Sequence, residues 1–384
     1  ICLHIVKGEY VSKIVEIASK NEVQSVFLNE NKHPNFIIKE QKLRKELERI
    51  NIQFKSFNNT NLSEPASILN KSGEPYKVYS PFYKHCKSIY SQNKVFNFPT
   101  KQINTFNINE DSINTEEIFP NSKNKWSDKL NKHWKPGEIE AHKALKKFFN
   151  DSLSNYKEGR DYLGTVGTSR LSPYLRFGEI TSNQIISEFQ FHADHNLNKH
   201  EEHFIKELYW REFSYYILFH FPYVIDKPFN RKYDNFEWNK NYEVNLNKWK
   251  KGETGYPLVD AGMRQLNKSG FMHNRVRMLV GSFLCKHLLI DWRWGEAYFA
   301  EKLLDYEMSS NVGNWQWIAG SGVDATPYFR IFNPTTQIDK YDKDHKYIKE
   351  WVPEFGTDDY PEKMVDHKEA RERALDTYKK AVSN

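Results

Sequence analysis

The sequence contains few of the features that mark secreted, zinc-binding or membrane proteins. Its three cysteines are odd in number and include no Cys-x-x-Cys pair, so neither a disulfide framework nor a thiolate metal site is predicted, and a reducing, cytoplasmic compartment is expected. The longest apolar stretch, 278–290, is interrupted by Lys286 and His287 and is too short to cross a bilayer. No basic and then apolar leader opens the chain, so no signal peptide is predicted.

The short motifs of the common hydrolases and nucleotide enzymes are also absent. The sequence has no G-x-S-x-G, no P-loop and no H-E-x-x-H, the patterns that position a nucleophile, a phosphate or a zinc ion. Its 14 histidines are scattered, and no metal site is predicted. An enzyme built in this way would have to take its chemistry from an organic cofactor.

Aromatic residues, by contrast, are abundant. The 384 residues include 26 Phe, 22 Tyr and 10 Trp, and every Trp lies at or beyond Trp126. This content excludes wholesale disorder, which is typical of chains with few aromatic rings. The formal net charge of +6 suits a polyanionic partner, although an ordinary protein surface would explain so small an excess equally well.

Hydrophobic spacing divides the chain into two domains and a linker, as its length also favours. Residues 1–95 alternate short apolar runs (1–6 and 25–28) with helical patterns (11–18 and 43–50). That alternation is typical of a Rossmann-like α/β domain with a parallel sheet. Because the chain begins with Ile inside a predicted strand, we expect this domain to be truncated at its start.

The second domain is predicted to be all-α. Eight Asn and few aliphatic residues between 91 and 125 indicate a long linker, assigned to 96–133, and helical patterns then fill 134–384. The clearest signals are a Ser172 cap before Pro173, a capping box at 181–184, a helix over 201–221 before Pro222, a helix over 257–266 before Gly270, and a helix over 273–290.

The helix over 273–290 carries a polar stripe opposite its apolar one. Asn274, Arg277, Met278 and Gly281 recur at the i, i+3, i+4, i+7 spacing of one helix face. An amide, a guanidinium, a thioether and a glycine suit a flat polar ligand that lies close to the backbone. A solvated face with one long arginine is the simpler alternative.

The helix over 201–221 has a comparable stripe. Glu207, Trp210, Arg211 and Ser214 share one face. Together an acid, an indole and a guanidinium can hydrogen-bond a base edge, stack on the base and hold a phosphate. A surface Glu–Arg pair beside a packed tryptophan is an equally good interpretation.

Two other segments add polar groups. The sequence GTSRLS at 167–172 places hydroxyls and free N–H groups before a helix, which favours an anion there, although any capped helix looks similar. The stretch 304–317 contains Asp305, Glu307, Asn311 and two tryptophans. The acids can accept hydrogen bonds from hydroxyls or a ring imide, and the amide can donate or accept. We interpret this stretch as functional.

These motifs resemble those of the photolyase/cryptochrome family, and within it the class I cyclobutane pyrimidine dimer photolyases. The resemblance is strong over 134–351 and implies a helical domain that binds FAD in a U-shape. It further implies light-dependent repair of UV-damaged DNA, in which photoexcited reduced FAD donates an electron to a flipped-out dimer. The segments that carry it are GTSRLS at 167–172, ELYWREF at 207–213, GYPLVD at 255–260, MHNRVRM at 272–278, NVGNWQW at 311–317 and YFRIFNP at 328–334.

The resemblance implies which residues bind FAD. The phosphates and ribityl chain would contact Tyr156, Thr168, Ser169, Arg170, Leu171 and Ser172. The isoalloxazine would be lined by Arg277, Asp305, Tyr306, Glu307 and Asn311, with Arg277 near Asp305 and Asn311 facing flavin N5. This chain departs from the family at position 307, where Asp is usual and Glu is one methylene longer.

The resemblance also implies a lesion site and an electron relay. Glu207 would hydrogen-bond the dimer, Trp210 and Trp317 would form an aromatic wedge, and stacking of roughly 1–3 kcal/mol per base would offset the cost of flipping. Four arginines are implied to hold DNA phosphates, namely Arg160, Arg211, Arg275 and Arg330, and the further implied contacts are Ser214, Asn274 and Met278. The implied relay that photoreduces the flavin is Trp238, Trp292 and Trp315. We expect the remaining tryptophans to be structural.

Alternatives remain within and beyond the family. A cryptochrome photoreceptor and a (6-4) photolyase share the implied fold, and a flavin-independent nucleic-acid-binding module would also suit the stacking residues. The sequence leaves open whether a second, antenna chromophore of the folate or deazaflavin type is bound. Asn35 is followed by Phe36, whereas folate-type members have an acid at that position. UV-damaged DNA is the expected partner of a monomer, with no protein partner and no membrane implied.

Overall fold

The N-terminal part of the computed structural model is a small α/β unit. Strands β1 (Ser25–Asn29) and β2 (Gln53–Phe57) pair in parallel, with Ser25 opposite Gln53. Helix α2 (Pro34–Arg49) connects them as a crossover, as parallel strands require, and α1 (Tyr10–Lys20) precedes them. Their apolar faces form one core with Val11, Ala18, Leu43, Leu47, Ile52 and Phe54. The predicted α/β unit with a parallel sheet is confirmed.

The structure describes residues 3–31, 34–57, 61–90, 112–113, 115–118, 129–191, 197–325 and 329–383. Most of the predicted linker, 96–133, lies outside the described residues, as does Trp126. The proposed division into 1–95, 96–133 and 134–384 stays a prediction. None of the described helices is long and apolar enough to span a membrane.

The strand predicted at 1–6 is wrong for its described part. Residues 3–7 have no regular secondary structure, and the side chain of Leu3 is 81% exposed. The backbone of Ile5 instead bonds to a distant segment: its N–H donates to Ser112 Oγ (3.1 Å) and its carbonyl accepts from the N–H of Ile113 (2.8 Å). The apolar content of this segment predicted a strand. These two hydrogen bonds, one of them to a side chain, do not form a β-ladder.

The rest of the described chain is mostly helical, and the helical prediction for the part after 134 is confirmed. The long helix Lys199–His220 lies centrally and contacts the helices at 79–89, 156–159 and 308–319. The helices are α3 (Tyr79–Ile89), α4 (Thr115–Ile118), α5 (Glu138–Asp151), α6 (Tyr156–Gly159), α7 (Ser172–Phe177), α8 (Ser182–Phe191), α9 (Lys199–His220), α10 (Glu243–Lys251), α11 (Pro257–Ser269), α12 (Asn274–Ser282), α13 (Trp292–Lys302), α14 (Met308–Ala319), α15 (Pro334–Tyr341), α16 (Lys346–Trp351) and α17 (His367–Ser383).

Two of the predicted helix ends are confirmed. At the start of α8 the N–H of Gln184 donates to Thr181 Oγ1 (3.1 Å), and the N–H of Thr181 donates to Gln184 Oε1 (2.8 Å), which is the predicted capping box. At the end of α11, Gly270 has φ +67° and donates its N–H to the carbonyl of Leu266 (2.9 Å).

Two other predicted helix limits are wrong. Leu171, not Ser172, is the N-cap of α7, and the Ser172 hydroxyl instead donates to Asp305 Oδ2 (2.7 Å). The helix predicted over 273–290 is α-helical only as Asn274–Ser282 and continues as a π-helix, Phe283–His287. The apolar stripe predicted the buried face correctly but not the wider turn, which occurs often at functional positions.

Helix α3 packs into the core of the helical part. Its Phe82 ring lies 4.9 Å from that of Phe213 and 4.8 Å from that of Tyr216, both on α9. Buried residues of the 61–86 segment and of α5 to α9 form one hydrophobic cluster. The segment before the linker therefore contributes directly to the surroundings of α9.

A pair of histidines joins the C-terminal helix to the π-helix. His287 Nε2 lies 2.8 Å from His367 Nδ1, and the two rings stack at 5.1 Å. The guanidinium of Arg373 on α17 donates to the carbonyl of His287 (2.6 Å). Burial, helped by His367 and Arg373, lowers the pKa of His287 to about 3.

This pair predicts acid sensitivity. The folded protein keeps His287 neutral, whereas the unfolded chain binds a proton below pH 6.5, so the free energy of unfolding falls as the pH falls. Between pH 6.5 and 5 the contribution of His287 is about 2 kcal/mol. Urea unfolding at both pH values should show a smaller fall for His287→Phe than for the wild type. Equal falls in the two proteins would contradict this assignment.

Candidate functional site

A cleft between α12, α13 and α14 collects many of the predicted cofactor residues. The polar stripe of α12 forms one wall, and the 303–307 segment between α13 and α14 forms another. The cleft is lined by Asn274, Arg277, Met278, Asp305, Tyr306, Glu307, Asn311 and Trp315, together with Phe299, Leu303, Ser310, Asn314 and Ile318. Asn274, Arg277 and Met278 of the predicted α12 stripe therefore line one cleft, and their contact with a ligand stays a prediction.

Asp305 is the buried acid of this cleft. Its side chain is 3% exposed, and its Oδ2 accepts from Arg277 Nη2 (2.8 Å) and from the Ser172 hydroxyl (2.7 Å). Its Oδ1 is buried without a hydrogen-bond partner among the described residues. A buried carboxylate oxygen left unpaired costs roughly 1–3 kcal/mol. An N–H donor in the cleft, such as the imide of a flavin, would satisfy it, so these residues fit FAD.

The GTSRLS loop packs directly on the helix that carries Tyr156. A Cβ at Gly167 would lie 2.1 Å from the carbonyl oxygen of Gly159 at the end of α6, so only glycine permits this approach. Leu171 is 1% exposed and Tyr156 is 6% exposed. Ser169 Oγ accepts from the N–H of Leu171 (3.4 Å), and Thr168 is half-exposed. The loop and Tyr156 are thus brought together, as the FAD assignment requires.

Two arginines that lie near the ring of Phe271 connect this loop with the cleft. The guanidinium of Arg170 lies 5.3 Å from the Phe271 ring centroid, and that of Arg277 lies 5.5 Å from it. Arg170 has φ +53°, a left-handed conformation that few non-glycine residues adopt. Arg277 Nε also donates to the carbonyl of Met272 (2.7 Å), which fixes its direction toward Asp305.

Glu296 on α13 is a residue that the sequence did not reveal. Asn311 Nδ2 donates to the carbonyl of Glu296 (3.2 Å) and to its Oε1 (3.1 Å), and Tyr306 Oη donates to the same Oε1 (3.2 Å). Because both acceptors are oxygens, the amide nitrogen of Asn311 must face them. Its Oδ1 is then the atom left for a ligand. Glu296 lies in no motif, and only tertiary packing brings it to Asn311.

Glu307 uses its carboxylate to cap α14. Its Oε1 accepts from the N–H of Ser309 (3.1 Å), and its Oε2 accepts from the N–H of Ser310 (2.9 Å) and from the Ser309 hydroxyl. The longer side chain therefore reaches around to the start of its own helix while it also lines the cleft. Its predicted contact with the isoalloxazine stays a prediction.

Glu207 on α9 is held by two basic residues. Arg160 Nη1 forms an ion pair with Glu207 Oε1, and His203 Nε2 lies 3.9 Å from the same oxygen. The Arg160 side chain is 14% exposed, and its guanidinium also lies 5.4 Å from the Tyr156 ring centroid. The structure thus directs Arg160, predicted to hold a DNA phosphate, toward the predicted lesion acid.

The other residues of the α9 stripe differ in their surroundings. Trp210 is 37% exposed and stacks on Tyr79 with 3.6 Å between the ring centroids. The Ser214 hydroxyl donates to the carbonyl of Trp210 (3.0 Å). Arg211 Nη2 donates to the carbonyl of Leu175 (3.4 Å) and to Tyr215 Oη (3.2 Å). The indole of Trp210 is thus partly exposed, whereas the side chains of Ser214 and Arg211 bond to neighbouring groups.

The remaining predicted DNA contacts are not equally accessible. Arg275 makes a bidentate pair with Asp161, Nε to Oδ1 at 2.8 Å and Nη2 to Oδ2 at 2.7 Å. Arg330 is exposed, and its guanidinium lies 5.8 Å from the Trp317 ring centroid. Asn274 Nδ2 lies 3.9 Å from Met278 Sδ at the cleft wall. Each assignment stays a prediction, and Arg330 is the exposed cation beside the predicted wedge.

The predicted relay tryptophans lie at different depths. Trp315 is 2% exposed and Trp292 is 1% exposed, whereas Trp238 is half-buried beside Phe236 at 4.4 Å. The ring of Trp315 contacts Phe299 (5.0 Å) and Trp249 (6.3 Å). The structure therefore adds Trp249 to the surroundings of Trp315, and the relay stays a prediction.

Comparison with known proteins identifies the fold and its cofactor domain. Residues 1–101 match the DNA photolyase family, and residues 204–357 match the FAD binding domain of DNA photolyase. The deoxyribodipyrimidine photo-lyase of Agrobacterium fabrum is 37% identical over 98% of this chain and 84% of that protein. The corresponding protein of Escherichia coli K12 is 32% identical over 97% of this chain and 81% of its own length. This chain belongs to the DNA photolyase family.

Solved structures of photolyases and cryptochromes share the fold. A class III photolyase from Agrobacterium tumefaciens superposes with a TM-score of 0.88 at 35% identity, covering 98% of this chain and 83% of that one. A Synechocystis cryptochrome superposes with a TM-score of 0.85 at 29% identity, covering 96% and 82%. The predicted two-part photolyase fold is confirmed.

The FAD prediction is confirmed at the level of the domain. The matched FAD binding domain contains every residue of the cleft, including Asp305 and Asn311, and begins after the GTSRLS loop and Tyr156. For this photolyase-family chain, the individual contacts with FAD stay predictions.

Proposed function

We propose that this photolyase-family protein repairs UV-damaged DNA by splitting cyclobutane pyrimidine dimers in the light. The observation that carries the proposal is the cleft in which the unpaired Oδ1 of Asp305 and the oriented Oδ1 of Asn311 line one space with Asn274 and Met278. When bound there, reduced FAD would supply the light-excited electron that opens the dimer. The matched relatives named deoxyribodipyrimidine photo-lyase support the same activity.

The protein's own residues would hold the cofactor and the lesion. Asp305 accepts from the cofactor while Arg277 keeps its carboxylate in place, and Asn311 offers an oxygen fixed by Glu296. On the DNA side, Trp210 and Trp317 would stack on the flipped bases, at roughly 1–3 kcal/mol per base. Arginine contacts would add affinity that is independent of sequence and sensitive to salt.

The finer assignment to class I is part of this proposal. A class III photolyase and a cryptochrome are among the structures that share the fold at 35% and 29% identity. A blue-light photoreceptor is therefore the second candidate. A (6-4) photolyase is a third, which Asn274 disfavours because a histidine is usual at that position in the (6-4) branch.

Illumination of the purified protein with damaged DNA distinguishes these functions. We expect flavin bands in its absorption spectrum and light-dependent loss of dimers from an oligonucleotide that contains one, with no loss in the dark. An oligonucleotide with a (6-4) photoproduct serves as the matched control and should stay unrepaired. Flavin without light-dependent repair would favour the photoreceptor. Tight binding of intact single strands without flavin would favour a nucleic-acid-binding module.

A further inference from the structure

Tyr79 covers one face of the tryptophan predicted to receive the lesion. Tyr79 is the first residue of α3, and its ring stacks on that of Trp210 with centroids 3.6 Å apart and planes 8° apart. Tyr79 is 6% exposed, whereas Trp210 is 37% exposed. A near-parallel stack at this distance covers one face of the indole, so a base can stack only on the other face.

The Tyr79 ring is fixed on its own far side and at its hydroxyl. Its Oη donates to the carbonyl of Lys206 (2.7 Å), one turn before Trp210 on α9. The ring of Tyr83 stacks behind it at 5.9 Å and 17°, and the Trp210 ring meets Phe213 edge-on at 6.0 Å. The Tyr79 side chain is thus held by Trp210, by Tyr83 and by the Lys206 carbonyl. Because it is already fixed, it loses little conformational freedom when a ligand binds, which is the benefit of preorganisation.

The backbone of Tyr79 also contacts the loop that follows the helix of the second wedge tryptophan, Trp317. Its N–H donates to Asp324 Oδ2 (3.4 Å). Asp324 lies in the loop that follows α14, the helix that carries Trp317, and has φ +57°. Tyr79 therefore contacts both α9, which carries Trp210, and the loop that follows the helix of Trp317.

We propose that Tyr79 is a positioning residue for lesion binding, which holds Trp210 flat so that its uncovered face receives a flipped base. The inference rests on the proposed function and deepens it. It assigns to α3, outside the matched FAD binding domain at 204–357, a part in the recognition of damage. Tyr79 acts through Trp210 and does not itself touch the DNA.

The test compares binding of dimer-containing and intact duplexes by Tyr79 variants. Tyr79→Leu should reduce the ratio of the two affinities about fivefold, since stacking accounts for roughly that factor or more per base. Tyr79→Phe keeps the stack and should restore the wild-type ratio. Phe82→Leu is the matched control, because Phe82 is buried on the same helix and packs on Phe213 and Tyr216. It should lower the melting temperature without changing the ratio.

A double-mutant cycle separates positioning from general damage to the fold. In the Trp210→Ala background, Tyr79→Leu should cause no further loss of the ratio, because the ring it positions is gone. A further fivefold loss there, or an unchanged ratio in Tyr79→Leu alone, would overturn the inference while leaving repair intact. A wild-type protein with no preference for dimer-containing DNA would overturn the proposed function, and this inference with it.

Discussion

Asp305→Asn is expected to lower the affinity for FAD about 100-fold, so that much of the flavin is lost during purification. The Asp305 carboxylate is 3% exposed and accepts a charge-assisted hydrogen bond from Arg277 at 2.8 Å. Asparagine replaces one acceptor oxygen with a donor, which must face either the Arg277 guanidinium or the position of the unpaired Oδ1. Either orientation sets a donor against a donor, at a cost of about 3 kcal/mol or a factor of about 100 in affinity. The flavin-to-protein absorbance ratio after purification measures the loss.

Ser172→Ala is the matched control for this prediction. Ser172 donates one hydrogen bond to the Asp305 carboxylate, at 2.7 Å from Oδ2, and its removal leaves both acceptor oxygens and the Arg277 contact in place. Its loss should cost roughly 1.5 kcal/mol, a factor of about 10 in affinity, and leave most of the protein loaded with flavin. Full flavin occupancy in Asp305→Asn would show that the cofactor does not use this carboxylate.

The helical part of the fold and one wall of the cleft could be predicted from local spacing alone. The i, i+3, i+4, i+7 spacing of Asn274, Arg277 and Met278 needs no distant partner, because a helix of any sequence places them on one face. The N-terminal strand at 1–6 failed for the opposite reason. A strand exists only when another strand pairs with it, and the described backbone of Ile5 pairs with residues 112–113.

The partners of charged side chains could not be predicted from the sequence. Arg160, Arg211 and Arg275 were all expected to reach DNA phosphates, yet in the structure they contact Glu207, the carbonyl of Leu175 and Asp161. The guanidinium of an arginine can donate to a phosphate, a carboxylate or a carbonyl, so the residue type alone does not identify its partner. Tyr79 and Glu296 were missed because each acts on a site residue that is distant in sequence.

Glu207→Gln is expected to reduce the affinity for dimer-containing DNA by about 10- to 100-fold. Both basic contacts of Glu207, from Arg160 and His203, go to its Oε1. Among the described residues, Oε2 is therefore the oxygen left to accept a hydrogen bond from the lesion. Glutamine has one acceptor oxygen, which Arg160 would claim, so that an amide donor faces the base. Losing a hydrogen bond to a charged group costs roughly 1.5–3 kcal/mol.

The effect of Glu207→Gln on the affinity for intact DNA shows whether Glu207 contacts a base of the lesion or acts only through its charge. Removing a negative charge from a DNA-binding face should slightly strengthen binding to intact duplex, because phosphate attraction is independent of sequence. Glu207→Gln should therefore bind intact DNA as well as or better than the wild type while it binds dimers more weakly. Titrations of both duplexes at one salt concentration test this. Equal losses for both, or loss of flavin, would mean that Glu207 supports the fold around Arg160 and does not read the lesion.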